Sequence, residues 1–106
     1  MKRYALAAGM AVVFAAGAAF GANPEAGKEK ARPCAACHGA DGNSPSPDFP
    51  RLAGQYYDYL VKALTDYKSG ARKNPIMAPQ AANLTRRDME DVAAYFSGQQ
   101  GLAEKR

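Results

Sequence analysis

Apolar side chains recur at helical spacing in two segments of the chain. In residues 55–69 they fall three or four positions apart, with charged residues between them. The same spacing returns in residues 85–97, where Thr85 and the Asp three positions later resemble a capping box. The apolar positions are Tyr56, Tyr59, Leu60, Ala63, Leu64 and Tyr67 in the first segment and Met89, Val92, Ala93 and Phe96 in the second. The pattern predicts two amphipathic helices, which end at Gly70 and Gly98.

A shorter helix is predicted ahead of these two. Asn23 suits the N-cap and Pro24 the first helical position, and we expect the helix to reach about Arg32, where Pro33 breaks it. Residues 39–54 contain three prolines and no apolar period, so an ordered loop is expected there. Because no segment has the alternation of a strand, the sequence predicts an all-α domain.

The N-terminus has the composition of a secretory leader. A short basic start precedes seventeen uncharged residues, rich in Ala with Gly, Val and Phe, and small residues follow them. We expect residues 1–22 to be a signal peptide, cleaved between positions 19 and 22, so that the protein works outside the cytosol. An uncleaved membrane anchor and a buried core helix are the alternatives. The remaining domain is residues 23–106, with a polar tail from about Gln99.

Composition narrows the class of protein further. The 106 residues carry 14 basic and 10 acidic side chains, a net charge of +4, and no run of Lys or Arg longer than two, so a nucleic-acid surface is not indicated. After the leader, only eight residues are Leu, Ile or Val. A domain this small, with so few aliphatic side chains, needs a staple, a metal or a cofactor to complete its core.

One segment carries the chemistry of such a cofactor. Residues 34–38 read Cys-Ala-Ala-Cys-His, the spacing of covalent c-type haem attachment. Cys34 and Cys37 would form thioethers with two vinyl groups at one porphyrin edge, and His38, the only His, would bind the iron. A thioredoxin-type disulfide lacks its βαβ context, a zinc site would need Asp as a fourth ligand, and a chance match is the third alternative.

Two methionines of the predicted domain are candidates for the second axial position of the iron. Met89 lies on the apolar face of the last predicted helix, where packing explains it. Met77 lies in an irregular segment between Pro75 and Pro79, which restrict the backbone and suit a rigid loop that presents a thioether. We therefore predict Met77 as the distal iron ligand. The alternative is that Met77 fills a gap beneath the loop.

With these residues in place, the sequence resembles a class I bacterial cytochrome c, most closely a single haem domain of the cytochrome c4 and c553 group. The resemblance covers residues 24–98. It is carried by Gly27 and by the segments 34–39, 50–55, 74–79 and 91–96. It implies a small all-α fold, with about three to four helices wrapped around one covalent haem c.

The resemblance also implies how the matching residues hold the haem. Cys34 and Cys37 would attach the macrocycle, and His38 and Met77 would be the proximal and distal ligands of its iron. The carbonyl oxygen of Pro50 would accept a hydrogen bond from the His38 imidazole, which fixes the tautomer of that ring.

Two further matching positions concern packing around the haem. The resemblance implies that Leu52 lies on the haem face. It also implies that Gly27 lets the first and last helices cross closely, against Tyr95 or Phe96. The macrocycle would then complete the thin aliphatic core.

If protein fills both axial positions, the iron has no place for a substrate, and the predicted function is a soluble periplasmic carrier of single electrons in a respiratory chain rather than an enzyme. We expect a monomer that docks transiently on redox proteins at the exposed haem edge near the two cysteines. We expect it to bind neither nucleic acid nor a small-molecule substrate, and to meet the membrane only through partner complexes. Five basic residues offer steering charge or, by default, solvated surface: Lys28, Lys30, Arg51, Arg72 and Lys73. A haem-based sensor and a haem subunit of a larger oxidoreductase complex are the alternatives.

Overall fold

The structure is a computed structural model that describes residues 21–101 of the chain. These residues form five α-helices, and no strand occurs among them. The helices are α1 (Pro24–Lys30), α2 (Arg32–His38), α3 (Tyr57–Ser69), α4 (Met77–Ala82) and α5 (Arg86–Ser97). The all-α prediction is confirmed, with two short helices beyond the three read from the spacing. The predicted leader, except for its last two residues, and the end of the polar tail lie outside the described residues.

The segment that contains the cysteines is helical, and here the sequence-based prediction is wrong. We expected one helix as far as Arg32, broken by Pro33, but α1 ends at Lys30 and α2 runs from Arg32 to His38. Proline lacks only a backbone N–H that the first turn of a helix leaves unbonded anyway, so Pro33 fits near the start of α2. The buried Ala31 joins the two helices.

Most of the ends predicted for the three helices that the sequence indicated are confirmed. The Asn23 side chain accepts a hydrogen bond from the N–H of Ala26 and caps α1. Thr85 and Asp88 form the reciprocal capping box of α5. Helix α3 begins two residues later than expected and ends at Gly70, whose φ of 91° belongs to the left-handed region that favours glycine.

Helices α1 and α5 cross so closely that their backbones are in contact at Gly27. A Cβ on Gly27 would overlap the carbonyl oxygen of Asp91 and lie 3.0 Å from the Cβ of Tyr95, so the expected close crossing is confirmed. The buried Asp91 carboxylate accepts hydrogen bonds from the backbone N–H of Asn23 (2.8 Å) and from Lys30 Nζ (2.7 Å). These bonds fasten the start and the end of α1 to the middle of α5.

The apolar core lies between α3 and α5. Its buried members are Ala31, Leu60, Val61, Val92, Ala93, Tyr95 and Phe96. The loop between α2 and α3 closes on itself, because the carbonyl oxygen of Gly42 accepts hydrogen bonds from the N–H groups of Leu52 (2.7 Å) and Ala53 (3.1 Å). No helix within residues 21–101 combines the length and hydropathy that crossing a membrane requires.

Candidate functional site

His38, the last residue of α2, is buried and points one ring nitrogen at the following loop. Its Nδ1 lies 2.8 Å from the carbonyl oxygen of Pro50. A carbonyl oxygen only accepts hydrogen bonds, so Nδ1 carries the proton and donates it. The lone pair of Nε2 is thereby left for a metal ion, and a hydrogen-bonded imidazole is the form that metal sites use.

A cleft of about 510 Å³ opens beside this imidazole, bounded by α2, the closed loop, α3, α4 and α5. Its volume falls within the range of about 300–1,000 Å³ typical of cofactor sites. Leu60, Leu64, Val92 and Phe96 contribute to an apolar lining. The residues predicted from the sequence all line this one cleft: Cys34, Cys37, His38, Pro50, Leu52 and Met77.

Cys34 and Cys37 lie one helical turn apart on α2, both are half-buried, and neither forms a disulfide. Burial raises the pKa of the Cys34 thiol, which therefore stays protonated at neutral pH. Cys-x-x-Cys pairs of thiol oxidoreductases show the opposite shift, so the environment of Cys34 disfavours that alternative. Among residues 21–101, no three His, Cys, Asp or Glu side chains converge, so the zinc alternative finds no ligand set there.

Met77 is the first residue of α4 and is half-buried at the cleft. The prediction of an irregular segment is therefore wrong at Met77 itself, although residues 71–76 do form the expected link after α3. Pro79 is accommodated in the first turn of this short helix, for the same reason as Pro33 in α2. The cleft thus receives a thioether from α4 and an imidazole from α2.

Comparison with known proteins places this arrangement in a family. The family model for cytochrome c matches residues 24–100. The chain belongs to the cytochrome c family. The fold is that of class I cytochromes c, and the similarity to cytochrome c4 proteins places the chain in the c4 group.

Three relatives define that similarity. Cytochrome c4 of Pseudomonas aeruginosa is 52% identical over 82 residues, which cover 74% of this chain and 41% of that protein. Cytochrome c-554(548) of Halomonas halodenitrificans is 41% identical over 78 residues, 71% of this chain and 94% of that protein. The crystal structure of reduced recombinant cytochrome c4 from Pseudomonas stutzeri superposes with a TM-score of 0.73 at 47% identity, over 76% of this chain and 47% of that one. The chain therefore spans under half the length of its cytochrome c4 relatives.

The family identifies the cofactor of this cytochrome c. Membership, together with Cys34 and Cys37 at their spacing, indicates one covalent haem c and its iron. The site fits that group, because an oriented imidazole and a thioether both line an apolar cleft of suitable size. Both are neutral groups that could donate to haem iron.

Sequence reasoning missed two residues that support the proximal wall of the cleft. The Phe49 ring meets the His38 ring edge-on, with centroids 6.3 Å apart and planes at 67°. Ser44 is buried, and its hydroxyl lies 3.2 Å from the carbonyl oxygen of Cys37 and 2.9 Å from that of Ser46. The position of Phe49 next to Pro50 hinted at a role, but nothing in the sequence marks Ser44.

The rim of the cleft carries polar aromatic groups from α3. Arg72 donates a hydrogen bond from Nη1 to the Tyr59 hydroxyl (3.1 Å), and its guanidinium lies 4.7 Å from the centroid of the Tyr67 ring. The hydrogen bond to Tyr59 raises the pKa of Arg72. Ile76, 56% exposed, adds an apolar side chain to the same rim.

Proposed function

We propose that this cytochrome c is a carrier of single electrons between redox proteins. The haem c supplies the chemistry, a one-electron change of its iron. The chain would supply attachment for the haem, two ligands for its iron and an apolar enclosure. The observation that carries the proposal is the 2.8 Å contact between His38 Nδ1 and the Pro50 carbonyl, in a cleft that Met77 also lines.

Each cleft residue then has a role. Cys34 and Cys37 would hold the haem through thioethers, and His38 would bind its iron through Nε2. Pro50 fixes the imidazole through its carbonyl oxygen, as the hydrogen bond supports. Met77 would supply a thioether sulfur to the iron from the start of α4, and its position in the lining of the cleft supports this role.

Leu52 completes the enclosure by packing on the haem face. Its side chain already lies against the apolar core and lines the cleft. An apolar surrounding and a neutral thioether both stabilise the reduced iron, which raises the reduction potential. Two protein ligands would leave no coordination position for a substrate, and this favours electron transfer over catalysis.

The proposed setting is the periplasm, in a respiratory chain, after removal of residues 1–22. The basic start and the long uncharged run of the leader support export. We propose a monomer that meets its redox partners transiently at the haem edge near Cys34 and Cys37, since the partly exposed cysteine edge offers a short path to the macrocycle. Such encounters bury little surface.

Replacement of Met77 tests the distal ligand. Met77→Leu removes the sulfur at nearly constant volume, so the covalent haem is retained, the weak far-red sulfur-to-iron band disappears, the potential falls and the ferrous iron binds CO. Met89→Leu is the matched control, because Met89 is buried in α5, where Thr65 Oγ1 lies 3.5 Å from its Sδ. Optical spectra of both oxidation states, with and without CO, provide the measurement.

The outcomes separate the candidate functions. A wild-type protein that resists CO and a Met77→Leu variant that binds it support the carrier. A wild-type protein that already binds CO and lacks the sulfur band would overturn it in favour of the haem-based sensor. Recovery of the wild-type protein only within a stable oxidoreductase complex would indicate a haem subunit instead of a free carrier.

A further inference from the structure

One residue satisfies three consecutive backbone N–H groups at the start of α4. The side-chain oxygen of Asn74 accepts hydrogen bonds from the N–H of Ile76 (2.9 Å) and of Met77 (2.9 Å). Its backbone carbonyl accepts a third from the N–H of Ala78, also at 2.9 Å. The backbone on both sides of Met77 is therefore bonded to Asn74.

Two prolines flank the N–H groups that Asn74 accepts hydrogen bonds from. Pro75 and Pro79 have no N–H, so they cannot donate to any alternative partner. A residue that precedes proline is also restricted to extended backbone, and this limits the conformations of Asn74 itself. The first turn of a helix leaves its N–H groups without intrahelical partners, and here Asn74 supplies them.

From this geometry, we propose that Asn74 is the positioning residue for the Met77 sulfur. The inference rests on the proposed role of Met77 as the distal ligand and extends it to the group that holds that ligand in place. Asn74 is half-buried and lines the same cleft, so its amide lies beside the cofactor site rather than on remote surface.

A thioether needs this kind of support more than an imidazole does. The methionine side chain has three rotatable bonds, so its sulfur can leave the iron unless the backbone that carries it is fixed. His38, on the α2 wall of the cleft, is buried and is fixed through its own ring nitrogen. Met77 is instead fixed through its backbone N–H, which donates a hydrogen bond to the side-chain oxygen of Asn74.

Substitution of Asn74 separates positioning from general stability. Asn74→Ala removes the side-chain acceptor. The loss of this helix-capping bond should increase the population in which Met77 is detached from the iron. We therefore expect the rate of CO binding to the ferrous protein to rise about five- to tenfold. The thermal loss of the sulfur-to-iron band should begin at a lower temperature. Asn74→Asp keeps an oxygen acceptor and should restore both readouts towards wild type.

Asn83→Ala is the matched control at the other end of the same helix. Asn83 is exposed and follows α4 as its C-cap, so its loss should leave the CO rate and the sulfur band unchanged. The covalent haem keeps the holoprotein measurable in each variant. If Asn74→Ala is recovered poorly, Asn74→Ser, with a shorter acceptor, should give an intermediate CO rate.

Two failures remain distinguishable when Met77→Leu is measured beside these variants. If Met77→Leu loses the sulfur band while Asn74→Ala behaves like wild type, the positioning role is overturned and the ligand role stands. The positioning role is also overturned if Asn74→Asp raises the CO rate as much as Asn74→Ala does. If Met77→Leu keeps the sulfur band, the proposed ligand itself is wrong.

Discussion

The α1–α5 crossing and the haem cleft are held together in different ways. At the crossing, Gly27 lies against the backbone of Asp91, and the Asp91 carboxylate binds both Lys30 and the N–H of Asn23. These contacts join one helix directly to the other. At the cleft, His38 is instead bonded to the backbone carbonyl of Pro50, and the Met77 N–H is bonded to the side-chain oxygen of Asn74.

This difference assigns separate tasks to the two regions. All of these contacts at the crossing join protein groups, so the crossing contributes to the free energy of unfolding independently of the cofactor. The cleft brings five elements around a common space, and a covalent haem c bound there would join the α2 wall to the others. Changes at the crossing should therefore appear in stability, and changes at the cleft should appear in spectra and potential.

The largest expected effect is loss of the cofactor itself. Cys34→Ser with Cys37→Ser removes both thioethers, and we expect no covalent haem to remain after acid-acetone extraction of protein exported from a host with haem-attachment machinery. Ala35→Ser with Ala36→Ser changes the two residues between the cysteines and should leave attachment intact. Haem that survives extraction in the Cys34/Cys37 double variant would show that the thiols are not its attachment points.

The sequence predicts well those parts of the fold that depend on near neighbours. The cap at Asn23, the capping box of Thr85 with Asp88 and the glycine end of α3 each involve residues a few positions apart. Pro33 was misread because proline breaks a helix interior and begins a helix equally well. The outcome depends on where α2 starts, and the residue just before that start, Ala31, is buried in the core among residues distant in sequence, a contact that local spacing does not reveal.

The candidate site shows the same limit. The Cys-x-x-Cys-His spacing and the proline-flanked Met77 identify cleft residues, because each pattern reflects local cofactor chemistry. The support by Ser44 depends instead on closure of a loop through Gly42, and that by Asn74 depends on the start of α4. Spacing alone reveals neither, because both require the folded path of the backbone.

A change at the crossing should lower stability and leave the haem signals alone. A Cβ at Gly27 would meet backbone atoms of Asp91, which cannot rotate away, so Gly27→Ala forces the helices apart and should cost about 1–3 kcal/mol in the free energy of unfolding. Urea unfolding monitored by circular dichroism measures this cost. The reduction potential and the sulfur-to-iron band should stay at their wild-type values.

Gly98→Ala is the matched control for this substitution. A Cβ at Gly98 would lie 3.5 Å from its nearest neighbour, the carbonyl oxygen of Ala94, which is ordinary contact. Its φ of −86° suits alanine, and the free energy of unfolding should change by less than about 1 kcal/mol. If Gly27→Ala is as mild as Gly98→Ala, or if it shifts the potential, the separation between crossing and cleft is wrong.

The smallest expected effect is the pH dependence of the crossing. Burial by itself raises the pKa of Asp91, but hydrogen bonds from Lys30 and from the N–H of Asn23 outweigh it, and the pKa is lowered overall. The pKa of Asp88 is lowered by the N–H of Thr85 and then by Lys30, which lies 3.0 Å from the Asp88 carboxylate. Both carboxylates are thus more acidic in the folded protein than in the unfolded chain.

A lowered folded-state pKa fixes the sign of the effect. The stability that Asp91 and Asp88 contribute is fully present above the unfolded-state pKa, about 3.9, and is lost as the pH falls through the folded-state values. Urea midpoints from pH 7 down to about pH 3 should therefore decrease. Asp91→Asn should lower the midpoint at pH 7 and flatten this slope, so that variant and wild type converge in acid. An equally steep slope in Asp91→Asn would place the acid-sensitive group elsewhere, because no titrating carboxylate then remains at position 91 to hold Lys30 and the start of α1.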